Sequence, residues 1–227
     1  MDVPRVLAID VSGEGGGVAL LLGDRVVTSL LDTGVARGRD LVPTIQAILA
    51  AEHLKPADLD CVGCGLGPGS FTGIRIAVST AATLAYTTKT PAIGVGSLHG
   101  RVVSAPADAT HAAVLLNGRR GGLFCGLFAR DPSGTWSETE PYFYATPEAI
   151  AAKLTPDTVV LGEGRELFPA IFHGFSGQTD APPHPETIAR IAATRFANGE
   201  RPDPRELRPI YLRASEPELR KQERDAN

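Results

Sequence analysis

The chain has 227 residues, a formal net charge of −4, and 43% hydrophobic and 21% charged residues. A chain of this length can bury one substantial core or two small ones without covalent staples. Its three cysteines, Cys61, Cys64 and Cys125, are too sparse for the disulfide framework of a small secreted domain. The negative charge argues against a broad nucleic-acid surface, because nonspecific affinity for phosphates comes from clustered Lys and Arg.

The sequence contains no signal for membrane insertion or export. No apolar run approaches the roughly 18 to 20 residues that a membrane-spanning helix needs. Residues 1–10 lack the basic and apolar regions of a signal peptide. We therefore expect a cytoplasmic protein with no membrane contact.

The first half of the chain has the pattern of an α/β unit. Strands are predicted at residues 5–11, 18–22 and 25–31, joined by tight turns. Apolar positions at helical spacing predict a first helix at 39–53. The unit then continues with a buried strand at 60–66, a helix capped by Ser70 or Thr72 and running to about residue 86, and a strand at 92–96.

The same order of elements recurs more loosely beyond residue 110. Strands are predicted at 112–116, 123–129 and 136–145, a helix at 147–154, a strand at 158–162 and a last helix at 186–198. A βββαβα order used twice predicts two α/β subdomains that face a cleft. We assign residues 1–104 to the first, 105–213 to the second, and 214–227 to a charged tail whose composition predicts a solvated or disordered extension.

A glycine-rich loop joins a predicted strand to the second predicted helix, with the sequence Gly65-Leu-Gly-Pro-Gly-Ser-Phe-Thr-Gly73. Such a junction can receive an anion. However, the loop lacks the lysine of the Walker pattern, and Ser70 stands where the dinucleotide pattern needs glycine. Pro68 and Thr72 occupy positions that a nucleophile elbow reserves for glycine. These departures favour a tight turn with a capped helix over a catalytic role.

Mostly small side chains form a stripe along the second predicted helix: Gly73, Ala77, Thr80, Ala81 and Leu84. Small residues let neighbouring backbones approach closely. The stripe therefore predicts either internal packing against a sheet or an external helix-to-helix interface, and periodicity does not choose between them.

Four segments together resemble a known family: Leu7-Ala-Ile-Asp-Val-Ser12, Gly67-Pro-Gly-Ser-Phe-Thr-Gly-Ile-Arg75, Pro91-Ala-Ile-Gly-Val-Gly-Ser-Leu98 and Pro209-Ile-Tyr-Leu-Arg213. The chain resembles the TsaB (YeaZ) family, which is related to TsaD. The resemblance implies an α/β fold of the actin-like ATPase (ASKHA, ribonuclease H-like) type with two subdomains, the second degenerate. It also implies a part in making N6-threonylcarbamoyladenosine at position 37 of tRNAs that read ANN codons.

In that family the transfer reaction belongs to TsaD, so the resemblance implies a noncatalytic scaffold or activator with no catalytic residue of its own. It implies docking to a TsaD-type transferase through the first two helices, a TsaE-type ATPase as a further partner, a homodimer when the chain is alone, and indirect contact with tRNA. The implied interface residues are Leu41, Ile45, Ile48, Gly73, Ala77, Thr80, Ala81 and Leu84.

The resemblance also implies a degenerate nucleotide site made of Asp10, Ser12, Gly67, Gly69 and Ser70. Asp10 stands where actin-like ATPases keep the aspartate that handles the nucleotide-bound metal, but Val11 replaces their usual threonine. Asn117 stands where such enzymes place a second acidic residue. We therefore expect no required cofactor and no metal site, and leave ATP or ADP at a subunit interface as an alternative.

The five histidines are scattered rather than paired one helical turn apart, and Cys61-Val-Gly-Cys64 has no second cysteine pair, which argues against a metal centre. Two other functions stay open. The chain could be an independent enzyme, either an actin-like ATP-dependent small-molecule kinase or a Gcp-like peptidase. It could also be a diverged paralogue that kept the fold and lost partner binding.

Overall fold

The computed structural model describes residues 4–31 and 37–213. The predicted tail at 214–227 lies outside the described residues. The first half contains, in chain order, β1 (Val6–Asp10), β2 (Gly17–Leu22), β3 (Arg25–Leu30), α1 (Arg37–Ala51), β4 (Cys61–Gly65), α2 (Phe71–Thr88), β5 (Ala92–Val95) and α3 (Ser97–Val102). A 3₁₀ turn at Pro56–Asp58 precedes β4.

These strands form one sheet in the order β3-β2-β1-β4-β5. The β1–β2 and β2–β3 pairs are antiparallel, whereas β4 runs parallel to both β1 and β5. Strands β1 and β4 are buried along their whole length. This burial is typical of parallel strands that are covered on both faces of a sheet.

The second half contains β6 (His111–Asn117), β7 (Leu123–Arg130), β8 (Trp136–Glu138), β9 (Phe143–Ala145), α4 (Pro147–Ala151), β10 (Val159–Leu161), α5 (Gly164–Leu167), α6 (Pro169–Phe172), β11 (Gly177–Gln178) and α7 (Pro185–Ala197). A 3₁₀ turn at Pro204–Glu206 follows. The second sheet has the order β11-β10-β6-β7-β8, and β9 also pairs with β7.

The two sheets have the same topology. In each, an antiparallel meander leads into parallel strands on its far side, so β6, β7, β8, β10 and β11 correspond to β1, β2, β3, β4 and β5. The predicted α/β fold of the actin-like type is therefore confirmed. The predicted strand at 136–145 is instead two short strands, and Pro141, which cannot donate to a ladder, lies between them.

Helix α7 joins the second half of the chain to the first sheet. Its buried residues Ile188, Ala189 and Ala192 share a core cluster with Val6 of β1 and Cys61 of β4. The helices α1 and α2 cover the opposite face of that sheet. The sequence assigned α7 to the second subdomain, but its packing places it on the first sheet.

Among residues 4–31 and 37–213, no helix has both the length and the apolar content needed to cross a membrane.

Candidate functional site

A cleft of about 750 Å³ lies where the loops of the two halves meet. Its walls come from the segment after β1, the glycine-rich loop before α2, the β6–β7 hairpin, the segment before α7, and the last described residues, 210–213. Loops at the carboxyl ends of parallel strands are the usual ligand position in open α/β sheets. The cleft is therefore the candidate site.

The glycine-rich loop is held in place from both sides. The Ser70 N–H donates to the carbonyl oxygen of Ser12 at 2.7 Å, and the Gly67 N–H donates to Ser97 Oγ at 2.9 Å. In return, the Ser97 N–H donates to the Gly67 carbonyl at 2.9 Å. Ser70 also caps α2, because its Oγ accepts from the Gly73 N–H at 3.2 Å. The predicted turn and helix cap are confirmed. Several polar groups of the loop are thus hydrogen-bonded within the chain itself.

Asp10 lies at the end of β1 and is completely buried. Its Oδ1 accepts the Ser12 N–H at 2.9 Å, and a Cβ added at Gly65 would overlap its carboxyl group. Burial raises the pKa of Asp10 above its ordinary value, although its hydrogen bonds with Ser12 and the charge of Arg101 oppose the increase. Ser12, Gly69 and Ser70 line the cleft directly, whereas Asp10 lies behind them.

Arg101 is one of two residues of this site that sequence reasoning missed. It lies on α3, a helix that was not predicted, and its side chain lines the cleft while the residue stays only 6% exposed. Its guanidinium packs on Gly13, where a Cβ would collide with it, and donates to the Ala181 carbonyl. A single arginine in a six-residue helix carries no sequence signal for such a position.

The second half contributes Asn117 and Glu163 to the cleft. The Asn117 N–H donates to Glu163 Oε1 at 2.8 Å. The side-chain oxygen of Asn117 accepts the Arg119 N–H, also at 2.8 Å. Glu163 was also missed from sequence, because it follows the short strand β10 without a motif. The carboxylate of Glu163 therefore fixes the β6–β7 hairpin through a backbone N–H.

An actin-like fold implies a nucleotide with a bound metal ion in this cleft, and these residues do not fit that group. The Asp10 carboxylate is fully buried and does not line the cleft, whereas the positively charged side chain of Arg101 does. Over the described ranges, no three His, Cys, Asp or Glu side chains are grouped so as to hold a metal ion. The predicted nucleotide role of Asp10, Ser12, Gly67, Gly69 and Ser70 stays untested.

Most of the predicted interface residues are in the core. Leu41, Ile45, Ile48, Gly73, Ala77 and Ala81 are buried, and only Thr80 and Leu84 of the set are partly exposed. Their stripe packs α1 and α2 onto the first sheet, which is the internal alternative for such a pattern. As surface contacts these six predictions are wrong, because the side chains that pack the helices on their own sheet cannot also face a partner.

The cysteines are all buried and free. Cys61 lies in the cluster on the α7 side of the first sheet, and Cys64 lies in the cluster on the α1 and α2 side. Residues three apart on a strand point to opposite faces. The two thiols therefore do not form half of a zinc site.

Comparisons with known proteins agree with the fold and the motifs. Residues 37–135 match the family model described as "TsaD: tRNA N6-adenosine threonylcarbamoyltransferase". The chain is 28% identical over 219 residues to the tRNA threonylcarbamoyladenosine biosynthesis protein TsaB of Escherichia coli K12, covering 92% of this chain and 94% of that protein. It is 31% identical over 125 residues to TsaB of Bacillus subtilis 168, covering 54% of each chain.

Among solved structures, YeaZ from Pseudomonas aeruginosa superposes with a TM-score of 0.83 at 24% identity, covering 93% of this chain and 100% of that one. This likeness concerns the fold. Together with the sequence matches to TsaB proteins, it confirms the resemblance that the glycine-rich loop and its flanking motifs predicted. The chain is therefore similar to the TsaB (YeaZ) proteins over most of its length.

Proposed function

We propose that this chain is a noncatalytic subunit that docks on a TsaD-type transferase and supports the synthesis of N6-threonylcarbamoyladenosine at position 37 of tRNAs that read ANN codons. The names of its relatives, tRNA threonylcarbamoyladenosine biosynthesis proteins, support a part in this biosynthesis. The poor fit of the cleft to a metal and nucleotide supports a role without chemistry of its own. Its contact with tRNA is indirect, through the partner, and its location is cytoplasmic.

The observation that carries the docking proposal is an uncharged helix face. Between Leu41 and Ala51 of α1, and between Ile76 and Thr88 of α2, the sequence contains no charged residue. The exposed positions of these segments include Val42, Gln46, Ala47 and Ala50 on α1, and Ser79, Thr83 and Tyr86 on α2. We call these seven residues the uncharged helix face.

This face has the composition of an interface rather than of an ordinary solvated surface. Val42 is 48% exposed and Tyr86 is 63% exposed. Exposed helix surfaces are usually rich in charge, whereas interface centres are depleted of charge and enriched in tyrosine. Helices α1 and α2 contact each other. The face therefore replaces the buried stripe as the docking surface of this proposal.

The same face serves a homodimer when the transferase is absent, because an uncharged surface is costly to leave solvated. A TsaE-type ATPase joins the transferase complex as a further component. ATP or ADP at a subunit interface belongs to the assembled complex rather than to this chain's own cleft.

The experiment measures binding of the purified transferase from the same source to this chain by calorimetry. We expect a complex with the wild type, and a loss of affinity of roughly tenfold or more when Val42→Glu and Tyr86→Glu are combined, because two charges would be buried. Ser137→Glu, on the exposed side of β8, is the matched control and should bind normally.

Melting temperatures of all three proteins establish that the variants are folded. Absence of a wild-type complex, or equal binding by the double variant and the control, contradicts the proposal. Substitutions at Ala77 or Ala81 are unsuitable for this purpose, because a glutamate there enters the core.

A further inference from the structure

Arg101 is a buried cation with few partners in the chain. The residue is 6% exposed, and a guanidinium carries five N–H donors. Its Nη1 donates to the Ala181 carbonyl at 2.5 Å, whereas its Nε is fully buried without a hydrogen-bond partner. Over residues 4–31 and 37–213, Nη2 has no hydrogen-bond partner either, and the guanidinium forms no ion pair with a carboxylate. A buried charge without an opposite charge in contact is costly, so this position favours a bound anion.

The unpaired guanidinium is accessible from the cleft. Arg101 lines the cleft of about 750 Å³, and its Nη2, unlike its Nε, is not among the fully buried unpaired atoms of the described residues. Nη2 packs on Gly13, where an added Cβ would overlap it. The absence of a side chain at Gly13 leaves the room that this nitrogen occupies. An anion in the cleft can therefore reach a nitrogen that has no partner within the described chain.

A second set of unpaired donors lines the same cleft, at the N-terminus of α2. This helix has 18 residues and begins at Phe71, after the cap Ser70. In the part of the chain that the structure describes, the backbone N–H groups of Phe71 and Thr72 have no hydrogen-bond partner, and both residues line the cleft. The first N–H groups of a helix form its positive end, which attracts anions. The start of α2 therefore adds to the positive potential that Arg101 creates.

The segment Ser12-Gly13 connects these two sets of donors. The Ser12 carbonyl accepts the Ser70 N–H at 2.7 Å, and the Arg101 guanidinium packs on Gly13. The guanidinium and the cap of α2 therefore contact the same two residues on one wall of the cleft. Donors from two separate elements suit a tetrahedral oxyanion, because its oxygens point in several directions.

The other charges of the cleft limit the size of such a ligand. The remaining ionisable residues that line it are the basic Arg119 and Arg213 and the acidic Glu14, Glu163 and Asp180. The three acidic residues are exposed, so water screens their charges, whereas Arg101 is buried. Arg101 can neutralise a single oxyanion, but a longer polyanion would also meet these carboxylates.

We propose that Arg101 and the N-terminus of α2 form a binding site for a single phosphate-type oxyanion that carries no metal ion. Arg101 supplies the buried positive charge, and the first N–H groups of α2 supply further donors. This inference concerns the cleft alone and does not depend on which partner covers the helices.

The test measures binding of inorganic phosphate to the full chain by calorimetry and by melting temperature, with potassium chloride at the same ionic strength as the reference. We expect saturable binding to the wild type, and a rise in melting temperature of roughly 2 °C or more at about 10 mM phosphate. Arg101→Gln should lose roughly tenfold or more in affinity, because it removes the buried cation. Arg190→Gln removes an exposed cation of α7, so it changes the net charge equally, and this matched control should bind like the wild type.

Gly13→Ala is a second variant, one that keeps every charge. Its methyl group would take the place of Arg101 Nη2 and displace the guanidinium, so phosphate affinity should also fall. If Arg101→Gln cannot be recovered folded, Gly13→Ala is compared with Arg190→Gln instead. Acetate and magnesium–ATP, tested at the same concentration, should bind more weakly than inorganic phosphate.

Absence of saturable phosphate binding by the wild type would overturn the proposal. Equal stabilisation of the wild type, Arg101→Gln and Arg190→Gln would also overturn it, because phosphate would then act as a general salt that is excluded from the protein surface. Tighter binding of acetate or of magnesium–ATP than of phosphate would assign the cleft to another ligand and contradict the proposal. No readout involves the transferase, so failure here is distinguishable from failure of the docking proposal.

Discussion

The backbone N–H of Ser70 donates to the carbonyl oxygen of Ser12 at 2.7 Å. This bond joins the glycine-rich loop to the segment that follows β1, and it brings the backbone of Gly69 against Ser12. The glycines of the loop therefore serve the close approach of two chain segments. The loop positions α2 and closes one wall of the cleft.

Gly69→Ala should destabilise the protein by about 2 kcal/mol or more, because the added Cβ would collide with the carbonyl oxygen of Ser12. Gly174→Ala is the matched control, since nothing lies within 4 Å of a Cβ added there. Urea unfolding measures both. A loss at Gly69 no larger than at Gly174 would contradict the close approach.

The free energy of unfolding of the Asp10→Asn variant, relative to that of the wild type, should increase as the pH rises. Burial raises the folded-state pKa of Asp10 above its ordinary value of 3.8, so the native state holds this proton more tightly than the unfolded chain. That contribution is present below the unfolded pKa and is lost as the pH rises through the folded pKa. Asparagine does not titrate, so the stability of the variant relative to the wild type should increase between about pH 4 and pH 8. Urea unfolding across this range measures it, and a constant difference would contradict the raised pKa.

Tyr211 should stabilise the start of α2 through Arg75. The Arg75 guanidinium carbon lies 3.9 Å from the centroid of the Phe71 ring, and its Nε donates to Tyr211 Oη at 2.9 Å. Tyr211 is 45% exposed, so we expect Tyr211→Ala to cost only about 1 kcal/mol in urea unfolding. Tyr211→Phe keeps the ring and should lose less than Tyr211→Ala. Equal losses would assign the contribution to the hydrogen bond rather than to the ring.

The thiols should not react in the native protein. Burial raises the pKa of Cys61 to about 12 and that of Cys64 well above its ordinary value, and Cys125 is buried as well. Reaction requires an accessible thiolate. Ellman's reagent should therefore label fewer than one thiol per folded chain and all three after denaturation, and rapid labelling of the folded chain would contradict the described burial.

Most elements were predictable from sequence because their signals are local. The strands that became β1, β2 and β4 are short apolar runs bounded by turn residues, and Ser70 is a recognisable helix cap. The stripe of mostly small residues on α2 was also visible in the sequence, but the surface against which it packs was not. A stripe that packs on a sheet and one that packs on a partner have the same spacing, so only the tertiary structure shows that Ala77 and Ala81 face inward.

The parts of the site that sequence did not predict depend on distant contacts. Arg101 reaches Ala181, which is 80 residues away, and Glu163 reaches the backbone of Asn117, which is 46 residues away. The amphipathic pattern of α7 predicts a helix with one buried face, but it does not indicate which sheet covers that face. In the structure α7 packs on the first sheet, against β1. None of these contacts leaves a local pattern.

The most direct measurement of the central claim is a reconstitution of tRNA threonylcarbamoylation with the TsaD-type transferase and its ATPase from the same source, with and without this chain. The account predicts strong modification only when the chain is present, and a loss of that stimulation with the Val42→Glu and Tyr86→Glu variant but not with Ser137→Glu. Full modification in the absence of the chain would contradict it.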